Sequence, residues 1–150
     1  MYDLVLLLHS WLRWVALAAG IAATLTAFTS SGTTEGRGDR WGVIFVGTLD
    51  LQLLLGLLLY FGLSPITAAI REDFGAALRD PGARFWAVEH IGMMLLAIVL
   101  AHLGRVLAKK ARTGPARRAR LLACFALSTI ALIAATPWPG MTAGRPLFRF

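Results

Sequence analysis

Residues 85–107 read FWAVEHIGMMLLAIVLAHLGRVL, and this almost continuous apolar stretch decides the fold of the chain. An α-helix rises about 1.5 Å per residue, so roughly 20 apolar residues cross the ~30 Å hydrocarbon layer of a bilayer. The stretch lacks the alternating pattern of a barrel strand, and lipid offers no partner for unpaired backbone groups. It is therefore predicted to form a transmembrane helix.

Three other apolar stretches accompany it in this chain of 150 residues, 57% of which are hydrophobic. Residues 4–28 and 41–63 are long enough to span a bilayer. The fourth stretch, 121–136, is short, and we count it from 118 because arginine side chains near a helix end can reach the interface. Pro137 ends it. The prediction is one domain, an all-α, up-down-up-down bundle of four transmembrane helices.

The connections between these stretches differ in character. Residues 29–40 and 111–116 are polar and glycine-rich, which is typical of flexible turns. Between spans two and three, Ser64 and Pro65 form a helix-start signal. Apolar residues then recur every fourth position up to the breaker at Asp80: Ile66, Ile70, Phe74 and Leu78. This pattern predicts a short amphipathic helix over one mouth of the bundle.

The basic residues predict the orientation of the bundle. One end carries Arg37, Arg40, Arg105, Lys109, Lys110, Arg112, Arg117, Arg118 and Arg120. The opposite end carries Arg71, Arg79, Arg84, Arg145 and Arg149. Residues 105–120 contain no acidic residue, so the first end is predicted to be cytoplasmic and both termini to lie outside. The membrane topology thus accounts for the net charge of +7 without a nucleic-acid partner. The chain has a single cysteine, Cys124, which excludes an intramolecular disulfide.

Few polar side chains interrupt the apolar stretches, and each is expected to face the interior and to have a partner, because lipid solvates such groups poorly. They are His9, Arg13, Asp50, Gln52, Glu89, His90 and His102. Small residues, among them Gly20, Gly47 and Gly56, are expected to permit close helix contact.

Two of the histidines are predicted to lie at the same depth. His9 and His90 each follow the outer start of a span by about five residues, or roughly 7–8 Å. Two histidines at one depth in a helical bundle can ligate one haem iron from opposite sides. The simpler alternative is that both are hydrogen-bonded interior residues.

His102 follows His90 by 12 residues on the same helix. It therefore lies about 18 Å further along the helix and about 120° around it, so one haem cannot use both. We expect His102 to be a structural residue bonded to a neighbouring helix, with a ligand role at a second site as the alternative.

Arg13 and Asp50 are predicted to reach similar depths from opposite sides of the membrane. An ion pair between them would neutralise two charges that are costly to bury and would join spans one and two. In the alternative interpretation, Arg13 holds a haem propionate or a quinone oxygen. Glu89 is expected at the outer interface.

The segments LLLHSWLRW, LDLQLLLGLLLYF and RFWAVEHIGMMLLAIVLAHLGR, with the later PWP and RPLF, resemble a family. It is a group of small bacterial four-span membrane proteins that are sometimes labelled cytochrome b-like, and the resemblance covers nearly the whole chain. It implies haem, with His9, His90 and His102 as the matching positions. Some members carry a histidine in span two near Asp50, so a ligand there is in doubt. The resemblance to bacterial membrane proteins also implies the inner membrane, and with the orientation predicted from the basic residues both termini would lie in the periplasm.

The expected function is that of a membrane b-type cytochrome-like electron carrier with haem b between His9 and His90. Its partners would be the bilayer and a quinone or a redox protein in a larger complex. No hydrolase triad, P-loop, GxGxxG or HExxH pattern indicates a bond-making enzyme. Two alternatives stay open: a cofactor-free membrane subunit or assembly factor, and a small transporter or metal-handling protein that uses His9, Glu89 and His90.

Overall fold

A computed structural model of the chain describes residues 1–30 and 37–148, with the side chains of 37–39 left out. The predicted turn at 29–40 lies largely outside the described residues, as do Arg149 and the side chain of Arg37. Every regular element in the described part is helical. The α-helices are α1 (Tyr2–Thr29), α2 (Arg37–Leu58), α3 (Pro65–Glu72), α4 (Phe74–Arg79), α5 (Pro81–Arg84), α6 (His90–Lys109) and α7 (Gly114–Ala134).

Three helical stretches are long and apolar enough to cross a membrane. They are Tyr2–Thr29, Arg40–Leu63 and Pro81–Lys109. The second continues past the end of α2 through the π-helical turn Leu59–Leu63, and the third includes α5 and the π-helical turn Phe85–Glu89 ahead of α6. Their positions agree with the first three predicted spans within a few residues.

Helix α7 is the exception among the long helices. Its first turns carry Arg117, Arg118 and Arg120, and it ends at Ala134, before Pro137. The apolar part from residue 121 onward is therefore shorter than the roughly 20 residues that a bilayer requires. Thr113 caps its start by accepting a hydrogen bond from the Ala116 backbone N–H at 3.3 Å.

The four long helices pack side by side around one apolar core. Helix α1 contacts α2 and α7, and α6 contacts α7 and α2. Phe45 of α2 and Phe125 of α7 are fully buried and meet edge to face, with ring centres 5.8 Å apart. Around them lie Leu49, Leu132 and the alanines Ala16, Ala23, Ala97 and Ala101. Small alanines let the helix backbones approach closely around the two large rings.

Glycines set two of the closest helix contacts. A Cβ on Gly20 would lie 2.7 Å from Thr129 Oγ1 and 2.8 Å from the Phe45 ring. A Cβ on Gly104 would lie 2.6 Å from Cys124 Cβ. The prediction of close contact was wrong for Gly47, because a Cβ there would meet nothing within 4 Å. That face of α2 is open.

The segment between the second and third long helices forms three short helices rather than one. The side chain of Asp73 caps α4 at 2.8 Å and that of Asp80 caps α5 at 2.7 Å. These aspartates divide the segment because each accepts a hydrogen bond from a backbone N–H in the first turn of a new helix. Ile70 is buried, whereas Phe74 and Leu78 are exposed, so the four apolar residues do not share one buried face.

Candidate functional site

The structure brings His9 of α1 and His90 of α6 together. Their ring centres lie 6.4 Å apart, and the ring planes are inclined by 66°. Both side chains line one cavity of about 140 Å³. The two histidines that the sequence placed at one depth therefore also face each other.

His90 is held by the end of a neighbouring helix. Its Nδ1 lies 2.8 Å from the carbonyl oxygen of Ala135, which follows the last residue of α7. A carbonyl only accepts, so Nδ1 carries the proton and donates, and Nε2 of the neutral ring keeps its lone pair. The rings of Trp86 and Phe85 lie against the imidazole, with centres at 5.3 Å and 5.7 Å. This arrangement fixes both the tautomer and the orientation of the ring.

The π-helical turn Phe85–Glu89 directly precedes His90. Such turns are rare and occur often at functional sites. The hydroxyl of Tyr60, in the π-helical turn that follows α2, donates to the carbonyl of Ala87 within this turn at 2.8 Å. One π-helical turn is thus bonded to the other, next to the histidine that faces the cavity.

His9 is held differently, by the side chain of Gln52 on α2. The Gln52 amide nitrogen donates to the His9 carbonyl at 3.0 Å and lies 3.3 Å from His9 Nε2. Gln52 is 5% exposed, and its amide oxygen, like His9 Nδ1, has no hydrogen-bond partner in the described part of the chain. On the same helix Gly56 makes room for the ring, since a Cβ there would lie 3.3 Å from His9 Cε1.

The cavity is mainly apolar, with polar groups near the two histidines. Besides the two histidines, its polar lining includes Tyr2, Ser10, Arg13, Gln52, Tyr60, Ser64, Thr67, Thr136 and Arg145. Apolar pockets with a few polar groups are the usual form of cofactor and small-molecule sites. Arg145 also places its guanidinium 5.4 Å from the centre of the Trp86 ring.

The polypeptide after α7 forms one side of this cavity. The carbonyl of Leu147 accepts hydrogen bonds from Arg13 Nη2 at 3.0 Å and from Trp14 Nε1 at 3.2 Å. The ring of Phe148 stacks on that of Trp14 with centres 5.5 Å apart. The contacts of this tail were not predicted from the sequence, because no local pattern marks them.

Within residues 1–30 and 40–148, Arg13 and Asp50 do not form the predicted ion pair. Arg13 donates to the tail, and Asp50 instead binds His102, with Oδ1 at 2.8 Å from Nε2. The depths were compatible, but successive residues of a helix turn by about 100°, so depth alone does not place two side chains on facing sides. Arg13 lines the cavity, and Asp50 does not.

His102 lies away from the cavity. Its bond to Asp50 joins α6 to α2, as expected for a histidine bonded to a neighbouring helix. Both side chains of this pair are 49% exposed, so the expected interior location was wrong. Glu89, also outside the cavity, pairs with Arg84 at 2.7 Å.

In the described part of the chain, no group of three or more His, Cys, Asp or Glu side chains is arranged to hold a metal ion. Comparison with known proteins found no matching family model, no similar curated protein and no similar solved structure. The functional interpretation therefore depends on the geometry of the two histidines and the cavity that they line.

Proposed function

We propose that the chain is a membrane b-type cytochrome-like electron-transfer protein that binds haem b between His9 and His90. The observation that carries this proposal is the 6.4 Å between their ring centres. Two imidazoles that ligate one iron hold their nitrogens about 4 Å apart, since each bond is about 2 Å, and their ring centres then lie roughly 6 Å apart.

The surroundings of each ring support the ligand role. The Ala135 carbonyl holds His90 in the tautomer that leaves Nε2 to bind a metal, which is the usual support of a ligating histidine. His9 would exchange its contact with the Gln52 amide for the metal. The cavity of about 140 Å³ is smaller than typical cofactor pockets of about 300–1,000 Å³. Haem binding therefore requires the other side chains that line the cavity to move aside while the spacing of the two rings is kept.

Bound haem would supply a one-electron couple, and the residues of the chain would bind and orient it. The electron would pass between a quinone or a membrane protein partner and an acceptor on the outer side. The chain resembles the four-span bacterial family described above, and that resemblance favours the same cofactor.

The membrane topology in this proposal has four spans, with α7 as the fourth. Arg118 donates to the carbonyl of Phe28 near the end of α1, and Arg120 donates to that of Leu107 near the end of α6 at 2.7 Å. The basic start of α7 thus caps two helix ends, which shortens the apolar length that α7 must supply. The proposed location is the bacterial inner membrane, with this basic end in the cytoplasm and both termini in the periplasm.

A reduced-minus-oxidised absorption spectrum of the purified full chain tests the cofactor. We expect a sharp band near ~560 nm, as for six-coordinate haem b. His9→Ala should abolish the band, whereas Leu8→Ala, at a neighbouring exposed residue that does not line the cavity, should retain it. A wild-type protein made with ample haem that shows no such band would refute the proposal and favour the cofactor-free subunit.

A further inference from the structure

The pair formed by Asp50 of α2 and His102 of α6 is a second polar feature, separate from the cavity. Asp50 Oδ1 lies 2.8 Å from His102 Nε2, and each side chain is 49% exposed. Asp50 lies about ten residues from Arg40 and His102 about seven from Lys109, the ends of two membrane-length helices. These separations correspond to roughly 15 Å for Asp50 and roughly 10 Å for His102 along the helices, which places Asp50 within the hydrocarbon layer and His102 nearer its edge.

An exposed side chain in the middle of a membrane-length helix faces lipid, whereas an exposed side chain at the helix end faces water and headgroups. The Arg84–Glu89 pair has similar exposure, 47% and 45%, but Arg84 lies only three residues from Pro81, the end of a membrane-length helix, where water and headgroups solvate charge. Around Asp50 and His102, exposed apolar residues such as Leu54 and Val99 mark a lipid-facing surface. Hydrocarbon neither hydrogen-bonds nor screens an ion pair, so such pairs normally face protein.

The pair also retains unused hydrogen-bonding capacity. No group in the described part of the chain bonds to Asp50 Oδ2 or to His102 Nδ1. In the ion-paired form the imidazolium keeps one N–H to donate, and the carboxylate keeps one oxygen to accept. A donor and an acceptor side by side on one surface are complementary to the same surface of a second copy.

The backbone beside the pair is accessible to a neighbour. Gly47 lies one helical turn from Asp50, is exposed, and would place a Cβ where nothing lies within 4 Å. Helices in membranes associate closely at small residues and through hydrogen bonds between polar side chains.

We propose that a second copy of this chain packs against the face formed by α2 and α6 around Asp50 and His102. A two-fold axis along the membrane normal keeps the two pairs at one depth, and residue contacts across such an interface are reciprocal. Asp50 of each copy then accepts from His102 of the other, and the two ion pairs are covered by protein instead of lipid. This proposal does not depend on haem binding.

Energy transfer between donor- and acceptor-labelled full-length chains in liposomes tests the proposal. Wild-type protein should form dimers. The double variant Asp50→Leu/His102→Leu, which makes the face apolar, should raise the dimer dissociation constant by more than about tenfold, because hydrogen bonds that cross the interface are lost. Glu89→Gln should leave the constant unchanged, since it removes a charge from the other ion pair.

A second variant tests the same face without altering the pair. Gly47→Leu adds a side chain where the monomer has room, so the fold should persist while the second copy is held away. Ala18→Leu is the matched control, because residue 18 is exposed on α1, outside the proposed interface. Wild-type chains that remain monomeric at all lipid ratios, or a dimer that tolerates both Gly47→Leu and the double variant, would overturn the proposal.

Discussion

The molecule contains two histidine sites between helices, and they differ in what surrounds them. His9 and His90 lie against a cavity, and each is oriented by a neutral group, the Gln52 amide or the Ala135 carbonyl. His102 lies at the surface, and its partner is the carboxylate of Asp50. A neutral partner leaves an imidazole nitrogen for a ligand, whereas the carboxylate of Asp50 occupies His102 Nε2. The same residue type is thus suited to a cofactor in one place and to a protein partner in the other.

The largest expected effect separates the two sites by their haem content. His90→Ala should lower the haem-to-protein ratio by more than about tenfold, because one of the two proposed iron ligands would be lost. His102→Ala should leave the ratio unchanged, since His102 does not line the cavity. Haem and protein assays of the purified variants measure the ratio. An equal loss of haem in both variants would contradict the assignment of haem to the His9–His90 site alone.

A smaller effect is expected from the buried partner of His9. Gln52→Leu removes the donor to the His9 carbonyl and to Nε2 in a region that is almost fully buried. The free energy of unfolding should fall by about 1–3 kcal/mol, because buried polar atoms lose a hydrogen bond. Reversible unfolding in mixed micelles measures the change. Leu54→Ala, on the exposed side of the same helix, serves as the control and should change stability less than Gln52→Leu.

The smallest effect is expected at the lipid-facing pair. Asp50→Asn keeps an oxygen that accepts from His102 Nε2 and removes only the charge. In monomers at high lipid dilution, the free energy of unfolding should change by less than about 1 kcal/mol, because the hydrogen bond is kept and such bonds between membrane helices contribute only about 0.6 kcal/mol on average. A loss larger than that of Gln52→Leu would show that this pair, and not the buried one, stabilises the monomer.

The sequence predicted the features that depend on composition and depth along a helix. The three membrane-length helices follow from uninterrupted apolar stretches, and the common depth of His9 and His90 follows from counting residues. Rotation about the helix axis was not predictable in the same way. Residues 50 and 52 differ by only two positions, yet Gln52 contacts α1 and Asp50 contacts α6.

Two further features, the π-helical turns and the contact of the tail with α1, were not predicted from the sequence. One π-helical turn contains Tyr60, and the other directly precedes His90. Each turn shifts the register of its helix, and apolar periodicity does not reveal such a shift. The bond between Trp14 and Leu147 joins residues 133 positions apart. A prediction based on local patterns has no signal for either.

That bond between Trp14 and the tail has a consequence for biosynthesis. Helix α1 is synthesised more than 100 residues before Leu147, so the wall that the tail provides forms later than the helix it covers. Until the tail is made, the space beside His9 has an open side. A bulky guest can therefore enter before the tail closes over it, without first prising apart a finished protein.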